Sequence, residues 1–427
     1  MSTRPNFPPA PKRTKSAAEH DRGPGTWCHA AVRLGAGTGA VVLTALALAG
    51  LTGAAAGAGL PGTVFVSPSA KAVGAGTSCA TARYSLLQGA IQAAAPGSTV
   101  VACPGTYHGG VTATKPLTLV GVDATIDAGG SDVGVTVPVP GTTVEGFTVE
   151  GATGEGILVV GRPGHPVTHV TVSGNVVKGN DLGNPTGGPI SSSHYRECNA
   201  TGNVPGDCGE GIHLMVAADS VVSGNLVEDN SGGILVTDEF GPADHNVIEY
   251  NVVRGNVLDC GITLPSHSTK AFVKGKLVPA AGGVYDNLVE HNTVIGNGTK
   301  GQGAGVLLAA AAPGGADYAN TVAYNTIEGN GMSGVTVHLH APGQYLDGNV
   351  VEDNTIGVND LTGDHDFNPA DTATTGVLVG SVTPLTITVR GNTISANTYG
   401  IWYSAPVKVL GGAANSFQGV QVDEHVA

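Results

Sequence analysis

An eight-residue segment, repeated seven times, organises the sequence by placing two asparagines on either side of a valine or isoleucine. The copies are SGNVVKGN (173–180), SGNLVEDN (223–230), EYNVVRGN (249–256), EHNTVIGN (290–297), AYNTIEGN (323–330), DGNVVEDN (347–354) and RGNTISAN (390–397). Counted from the first Asn, successive copies are 50, 26, 41, 33, 24 and 43 residues apart. A recurring short unit is typical of a solenoid, so we interpret the shortest interval as one coil and the excess as inserted loops.

A second motif follows each pair of asparagines: a glycine, then Ile or Val, then alternating residues, as in Gly211-Ile212. An earlier copy of the whole unit lies at 143–160, with Phe147 and Ala152 in place of the two asparagines. One coil cannot bury its own apolar face, so coils must stack with paired strands about 4.8 Å apart. Asn at the corners predicts left-handed turns, which Asn tolerates, and amide ladders that run from coil to coil.

Composition agrees with an all-β chain built from small residues. Gly accounts for 67 of 427 residues, whereas charged residues make up 12% and aromatic residues 4%. The absence of a strict Gly-X-Y period excludes collagen, and the scarcity of Glu, Lys and Leu excludes a coiled coil. Many short strands joined by tight turns are the remaining arrangement.

The repeat resembles the right-handed parallel β-helix repeats of the pectin-lyase-like superfamily, including NosD-like periplasmic proteins. The stretch RYSLLQGAIQAAAPGSTVVACPGTYHGGVTATKPLTLVG (83–121) is similar to the opening of such a helix. The resemblance covers about residues 62–420 and implies a right-handed parallel β-helix solenoid with an N-terminal capping α-helix. Because this fold hosts many activities, function has to be argued from the site.

We divide the chain into three regions. Residues 1–58 are interpreted as a basic leader and signal peptide, because six Lys or Arg precede the uncharged stretch from Gly39 to Leu60. Residues 59–110 are expected to hold a strand and the capping helix, and residues 111–427 the β-helix with loop insertions at 181–209, 265–283 and 355–375. The expected location is therefore secreted or on the cell surface, with an uncleaved N-terminal anchor as the alternative.

Charge and cysteine content support export and exclude one class of partner. Without residues 1–58 the chain keeps 13 basic and 31 acidic residues, a net charge of −18, which excludes nucleic acid as a partner. No membrane association is expected after removal of the leader. Of the three pairings that four cysteines allow, we favour Cys79–Cys103 with Cys198–Cys208, and we expect Cys260 to be a buried free thiol.

Candidate catalytic residues gather on the strands that begin at the Gly-Ile/Val motif. Counted from the glycine, the first residue points inward and the even positions point outward. The sixth position then brings Glu239, His267 and His340 into one outward row, while Asp238 points inward by parity. Imidazole and carboxylate groups on one exposed sheet face suit acid–base catalysis. We therefore predict a catalytic group consisting of Glu239, His267, His340 and Asp238.

Binding residues are expected beside this row. The candidates for substrate binding are His213, Lys270, Lys274, Lys276 and Trp402. The three lysines would neutralise a uronate carboxylate or simply solubilise their loop, and Trp402 would stack on a sugar or pack under a loop. A divalent-cation site, with calcium as one candidate ion, is predicted at His338, Asp364 and Asp366.

Three functions stay open at this stage. The favoured one is an enzyme acting on extracellular polysaccharide as a lyase, epimerase or glycoside hydrolase. The motifs of related enzymes, such as the Asp-Pro-His-Glu of alginate epimerases, are absent. The alternatives are a non-catalytic glycan-binding or cell-surface structural solenoid, and a NosD-like periplasmic metal-handling protein. The ligands of the last would come from His338, His340, His267 and Glu239.

Overall fold

Strands of successive coils pair in parallel and build a right-handed parallel β-helix. The structure, a computed structural model, describes residues 62–71, 75–180, 210–267, 271–273, 276–278, 282–300, 303–310, 313–364, 367 and 373–427. These residues fall in one compact unit, Gly59–Ala427. The predicted leader, residues 1–58, lies outside the described residues. None of the described helices combines the length and apolar character that crossing a membrane requires.

Sheet 1 contains 21 of the described strands, because most coils contribute two short strands to it on either side of a corner. These strands are Thr63–Val66, Thr99–Ala102, Gly105–His108, Thr118–Asp127, Thr143–Glu150, Thr171–Ser173, Val176–Lys178, Val221–Ser223, Leu226–Glu228, Val247–Glu249, Val252–Arg254, Leu288–Glu290, Thr293–Ile295, Thr321–Ala323, Thr326–Glu328, Val350–Glu352, Thr355–Ile356, Leu385–Arg390, Thr393–Ser395, Val407–Leu410 and Ser416–Gln418. In most of the three-residue strands the central residue is buried and its two neighbours are less so, as the period of two requires.

Sheet 2 contains 11 described strands, which begin around the Gly-Ile/Val motif. They are Val111–Thr112, Val135–Val137, Ile157–Val160, Glu210–Met215, Gly232–Thr237, Ile262–Ser266, Val306–Ala310, Val335–Leu339, Thr375–Ser381, Tyr399–Tyr403 and Val422–Val426. Sheet 3 contains Val167–Thr168, Ala217–Ala218, Ala243–Asp244, Val284–Tyr285 and Asp317–Tyr318. Ala271–Val273 and Lys276–Val278 form a separate antiparallel pair.

Glycine at the start of most sheet 2 strands lets neighbouring coils approach closely. A Cβ atom added to Gly261 would lie 2.3 Å from Val294 Cγ1 and 2.8 Å from the carbonyl oxygen of Gly305. Both distances are shorter than normal van der Waals contact, so no larger residue fits here without movement of the core. The recurring glycine of the Gly-Ile/Val motif is therefore required by packing between coils.

Buried asparagines form ladders along the helix axis, as predicted. The Nδ2 group of Asn251 donates to Asn292 Oδ1 at 3.0 Å, and Asn292 Nδ2 donates to Asn325 Oδ1 at 3.0 Å. The same oxygens accept backbone N–H groups of the preceding coil, such as that of Asn251 at 3.0 Å. Phe147 and Ala152 do stand in asparagine positions, because their N–H groups donate to Asn175 and Asn180.

The register of the asparagines differs from the prediction in one coil. Asn325 is bonded to Asn354, 29 residues later, and not to Asn349. Asn349 belongs to a third ladder, in which it accepts from the N–H of Asn320. Coils such as 349–359 carry asparagines at five-residue intervals. The sequence pattern therefore also fits when it is displaced by one asparagine, which is five residues. The predicted intervals of 24 and 43 residues were therefore wrong, and the ladder advances by 29 and 38.

The left-handed corner conformation belongs to the residue before most of the ladder asparagines and not to the asparagine itself. Tyr250, His291 and Tyr324 have φ values of 55°, 55° and 56° and precede Asn251, Asn292 and Asn325. No Asn in the described part of the chain has a positive φ. The prediction that Asn adopts the left-handed turn was wrong, because its amide is needed inside the coil to satisfy corner backbone groups.

The N-terminal region contains the expected helix and disulfide. The α-helix Leu87–Ala93 directs Leu87, Ala90 and Ile91 into the main core, and its capping role stays a prediction. Two short 3₁₀ helices, Cys79–Thr81 and Gly412–Ala414, complete the helical content described. The Cys79–Cys103 disulfide is present and Cys260 is a buried free thiol, as predicted. Cys198 and Cys208 lie outside the described residues.

Candidate functional site

The second residue after each glycine of the Gly-Ile/Val motif also points outward by parity, but all of these side chains except the half-buried Leu307 are buried. They are aligned across successive strands of sheet 2: His213, Leu235, Thr263, Leu307, Thr336, Leu378 and Trp402. His213 is 1% exposed and Trp402 is 4% exposed. The expectation of an exposed sheet face was therefore wrong, and in this structure a sugar ring does not reach the face of Trp402.

Glu239 and His267 meet as the predicted row requires. His267 Nδ1 lies 3.0 Å from Glu239 Oε1, and both residues are less than 10% exposed. They lie just beyond the ends of the neighbouring strands Gly232–Thr237 and Ile262–Ser266. Burial alone would raise the pKa of Glu239, but its hydrogen bond to His267 and the charge on that imidazole outweigh burial. The charge on His213 and the hydroxyl of Thr237 act in the same direction, so the pKa of Glu239 is lowered.

Asp238 is fully buried beside this pair, and its pKa is shifted in the opposite direction to that of Glu239. Burial raises the pKa of Asp238 to about 7, and the neighbouring charge of Glu239 contributes to the rise. The Ser266 hydroxyl donates to Asp238 Oδ2 at 2.9 Å and reduces the shift. Asp317 is a second fully buried carboxyl whose pKa is raised by burial and, to a lesser extent, by the charge of Asp238. Two adjacent carboxyls, at 238 and 239, thus differ in protonation near neutral pH.

His213 extends the group to a second set of carboxylates. Its Nδ1 lies 3.0 Å from Glu155 Oε1, and its Nε2 lies 2.8 Å from the hydroxyl oxygen of Thr237. The Thr237 hydroxyl in turn donates to Glu239 Oε2. One continuous hydrogen-bonded chain therefore runs from Glu155 through His213 to Glu239 and His267.

Glu155, Glu210 and His213 form a compact set of potential metal ligands. One ligand atom from each residue lies within 4.8 Å of the other two, and all three residues are buried. The two glutamates immediately precede the inward Gly-Ile motifs 156–157 and 211–212, so they take the same place on neighbouring coils. Ligand atoms around a tetrahedral ion are about 3.4 Å apart at metal–ligand distances near 2.1 Å, so a set that lies within 4.8 Å is of a size that one ion can occupy.

The sequence contained a signal for this set that the positional numbering missed. Glu-Gly-Ile occurs at 155–157 and again at 210–212, with His213 directly after the second copy. The numbering began at the glycine and so left out the preceding residue. The insertion at 181–209 also separates two coils that are direct neighbours in sheet 2. His213, predicted to bind substrate, lies at the centre of the group.

His338 and His340 belong to a different cluster from Glu239 and His267. His338 Nε2 lies 2.7 Å from Asp364 Oδ2, and both side chains are buried. His340 packs against His338 and Phe367, with ring centroids 5.0 and 5.1 Å apart. Asp364 Oδ1 also accepts the N–H of Phe367 at 3.2 Å, so these contacts hold Asp364 and Phe367 against sheet 2. Among the described residues, no third carboxylate, imidazole or thiol ligand joins His338 and Asp364 as closely as in the Glu155 set.

Four of the predicted residues are described only in part or not at all by the structure. Lys270, Lys274 and Asp366 lie outside the described residues. Lys276 begins the second strand of the antiparallel pair. Their predicted roles in charge neutralisation and metal binding stay predictions.

A comparison with known families assigns the repeat region to a family. A family profile described as periplasmic copper-binding protein (NosD) matches residues 143–410, which is more than half of the chain. The chain belongs to the NosD family. Among curated proteins, none matches the sequence of this NosD-family chain.

Solved structures similar to this NosD-family chain are parallel β-helix proteins. The mannuronan C-5 epimerase A-module of Azotobacter vinelandii is 17% identical, with 80% of this chain and 92% of that chain covered and a TM-score of 0.38. A family 28 exopolygalacturonase of Yersinia enterocolitica is 12% identical, with 85% and 78% covered and a TM-score of 0.34. At these values the likeness concerns the fold and not the activity.

Replacing Asp238 with asparagine is expected to stabilise this NosD-family chain at pH 8. The folded-state pKa, about 7, lies above the ordinary value of 3.8, so unfolding releases a proton between these limits. The contribution of Asp238 to the free energy of unfolding is fully present below about pH 4. It decreases as the pH rises to about 7, and above that pH it changes no further. Asparagine carries no charge to bury, so Asp238→Asn should gain on the order of 3 kcal/mol at pH 8 and little at pH 4.

Urea unfolding at pH 4, 6 and 8 measures this difference, with Asp132→Asn, at a half-exposed position, as the control. Glu239 and His267 face Asp238, and the lowered pKa of Glu239 confines its own contribution to the acid end of this pH range. Equal stability of Asp238→Asn and the native chain at pH 8 would show that the Asp238 carboxyl is not held protonated.

Proposed function

We propose that this NosD-family chain is an exported metal-binding protein that holds a divalent transition-metal ion at Glu155, Glu210 and His213. The observation that carries the proposal is the convergence of these three buried ligand groups within 4.8 Å. Two carboxylates facing one imidazole form an anionic set, which a divalent cation stabilises in a buried environment. Three protein ligands leave a fourth position open, which suits an ion that has to enter and leave.

The donor set indicates which ions fit. One imidazole nitrogen and two carboxylates suit Zn(II) and Cu(II), and the general order of affinities places Cu(II) above Zn(II). Cu(I) prefers thiolate and thioether sulfur, which this set does not contain. Calcium takes six to eight oxygen ligands, so calcium, the cation considered from the sequence, fits these residues poorly. The copper-binding description of the family is thus compatible with these residues if the ion is Cu(II).

Titration of the metal-free chain with Zn(II), Cu(II) and Ca(II) tests the proposal. We expect one Zn(II) or Cu(II) per chain at this site and no comparable binding of Ca(II). Calorimetry measures the stoichiometry, and competition with a chelator of known affinity measures the dissociation constant. If neither Zn(II) nor Cu(II) binds, the proposal is wrong.

A second candidate is an enzyme that acts on extracellular polysaccharide through Glu239, His267 and Asp238. The observation that favours it is the pair of adjacent carboxyls whose pKa values are pushed apart next to an imidazole. Such a division suits an acid and a base working on one substrate. Glu239 and His267 are 7% and 8% exposed, so a polymer would reach them only after the surrounding chain moves.

Screening the chain on uronate and neutral polysaccharides, with and without calcium, tests this candidate. Reducing ends and unsaturated-uronate absorbance report the product. We expect the Glu239→Gln/His267→Gln double variant to lose activity, and the exposed His245→Gln variant to keep it. If the native chain is inactive on every polymer, or the double variant is fully active, the enzymatic candidate fails.

A further inference from the structure

The hydrogen bonds around His213 fix the direction in which each proton points. Thr237 has a single hydroxyl proton, and that proton is donated to Glu239 Oε2. The oxygen of Thr237 lies 2.8 Å from His213 Nε2 and has to accept there, because its own proton is already used. His213 therefore carries a proton on Nε2.

The opposite edge of the imidazole faces the two glutamates. His213 Nδ1 lies 3.0 Å from Glu155 Oε1, and Glu210 belongs to the same set of ligand atoms within 4.8 Å. Because an ionised carboxylate oxygen only accepts, the contact with Glu155 places a second proton of His213 on Nδ1 in the metal-free chain. An ion between the carboxylates would displace that proton and bind Nδ1, while the Nε2 proton stays directed at Thr237. The ring orientation and the hydrogen bond at Nε2 thus both favour metal binding through Nδ1.

We propose that Thr237 and Glu239 are positioning residues, which hold His213 as the Nε2–H tautomer so that Nδ1 binds the ion. The inference rests on the proposed metal site. Metal-binding histidines commonly donate their second N–H to a carboxylate or another acceptor, which fixes the tautomer and strengthens the ligand. Here the carboxylate of Glu239 acts through the intervening hydroxyl, and the hydrogen bond to His267 holds that carboxylate in place.

The position of Thr237 permits a matched pair of variants. Thr237→Val keeps the shape of the side chain but removes the hydroxyl, whereas Thr237→Ser keeps the hydroxyl. We expect Thr237→Val to weaken Zn(II) binding by about 10- to 100-fold, the usual cost of losing a partner of a metal ligand. Thr237→Ser should restore affinity to near the native value. Thr336→Val, a buried position in sheet 2 outside this chain of hydrogen bonds, controls for loss of a buried hydroxyl.

A spectroscopic measurement on the metal-free chain tests the tautomer directly. With ¹⁵N-labelled histidine, the ring signals of His213 are assigned by their loss in His213→Gln. In the metal-free chain, the native sequence and Thr237→Ser should show a proton on Nε2. In Thr237→Val, which offers Nε2 no acceptor, that proton should be lost, whereas the proton on Nδ1 that faces Glu155 should be kept.

The two readouts separate the failure of this inference from the failure of the metal site. If the native chain binds no Zn(II), the metal site is wrong, whereas an Nε2 proton that is present in the native chain and lost in Thr237→Val still supports the positioning role. If Thr237→Val binds Zn(II) like the native chain, or retains the Nε2 proton, the positioning role is overturned. A loss of affinity in Thr237→Ser equal to that in Thr237→Val would also overturn it.

Discussion

Replacing Glu210 with glutamine is expected to abolish tight binding of Zn(II) and Cu(II) to the metal-free chain. Glutamine has nearly the same shape as glutamate but offers a neutral amide oxygen, so the site loses a charge and a strong ligand together. The loss should exceed the roughly 10- to 100-fold that removal of an outer partner costs. Glu155→Gln and His213→Gln should have effects of the same size, because each removes one of only three proposed protein ligands.

Glu249→Gln provides the control for this prediction. Glu249 is a half-buried glutamate on a sheet 1 strand and is not a member of the ligand set. Its replacement should leave the dissociation constants for both ions unchanged. Chelator competition and calorimetry on all four variants, with thermal unfolding to verify that each is folded, provide the measurement. If Glu210→Gln and Glu249→Gln bind equally well, the ion is held elsewhere in the chain.

The fold was predictable from the sequence because stacked coils repeat the same physical requirements. Each coil needs a β-branched residue facing the core, a glycine where coils approach and an amide that satisfies corner backbone groups. Residues equivalent to the buried Val177 and to the close-packed Gly261 therefore recur in successive coils. The displaced register at Asn349 and Asn354 marks the limit, because asparagines at five-residue intervals leave two alignments open.

The candidate site was only partly predictable, since it depends on contacts that do not repeat. Glu239 and His267 were paired correctly because they hold equal positions on neighbouring coils. Thr237 was not among the predicted site residues, although its hydroxyl joins Glu239 to His213. Burial of the outer face was also missed, because it depends on individual contacts that no period describes. Asp364 and Phe367 show this, since each contacts His338 on the sheet through its own side chain.

Replacing Asn292 with alanine is expected to destabilise the chain more than most single substitutions. Asn292 is 1% exposed and lies in the middle of its ladder. Its Oδ1 accepts the N–H and the Nδ2 of Asn251, and its Nδ2 donates to the carbonyl of Ile248 at 2.8 Å. Alanine would leave these groups unsatisfied away from water, at about 1–3 kcal/mol each. We expect a total loss of roughly 3–5 kcal/mol in the free energy of unfolding, measured in urea.

Asn415→Ala separates the effect of burial from that of the ladder itself. Asn415 makes the same kinds of contact: it accepts from Asn392 N and Nδ2, both at 2.9 Å, and donates to the carbonyl of Val389. It lies on the last described coil and is half-buried, so water can replace the lost partners. Its replacement should cost about 1 kcal/mol, the usual net value of a hydrogen bond that solvent can substitute. Equal losses at the two positions would mean that the ladder stabilises the helix through coil pairing itself, independently of its exclusion of water.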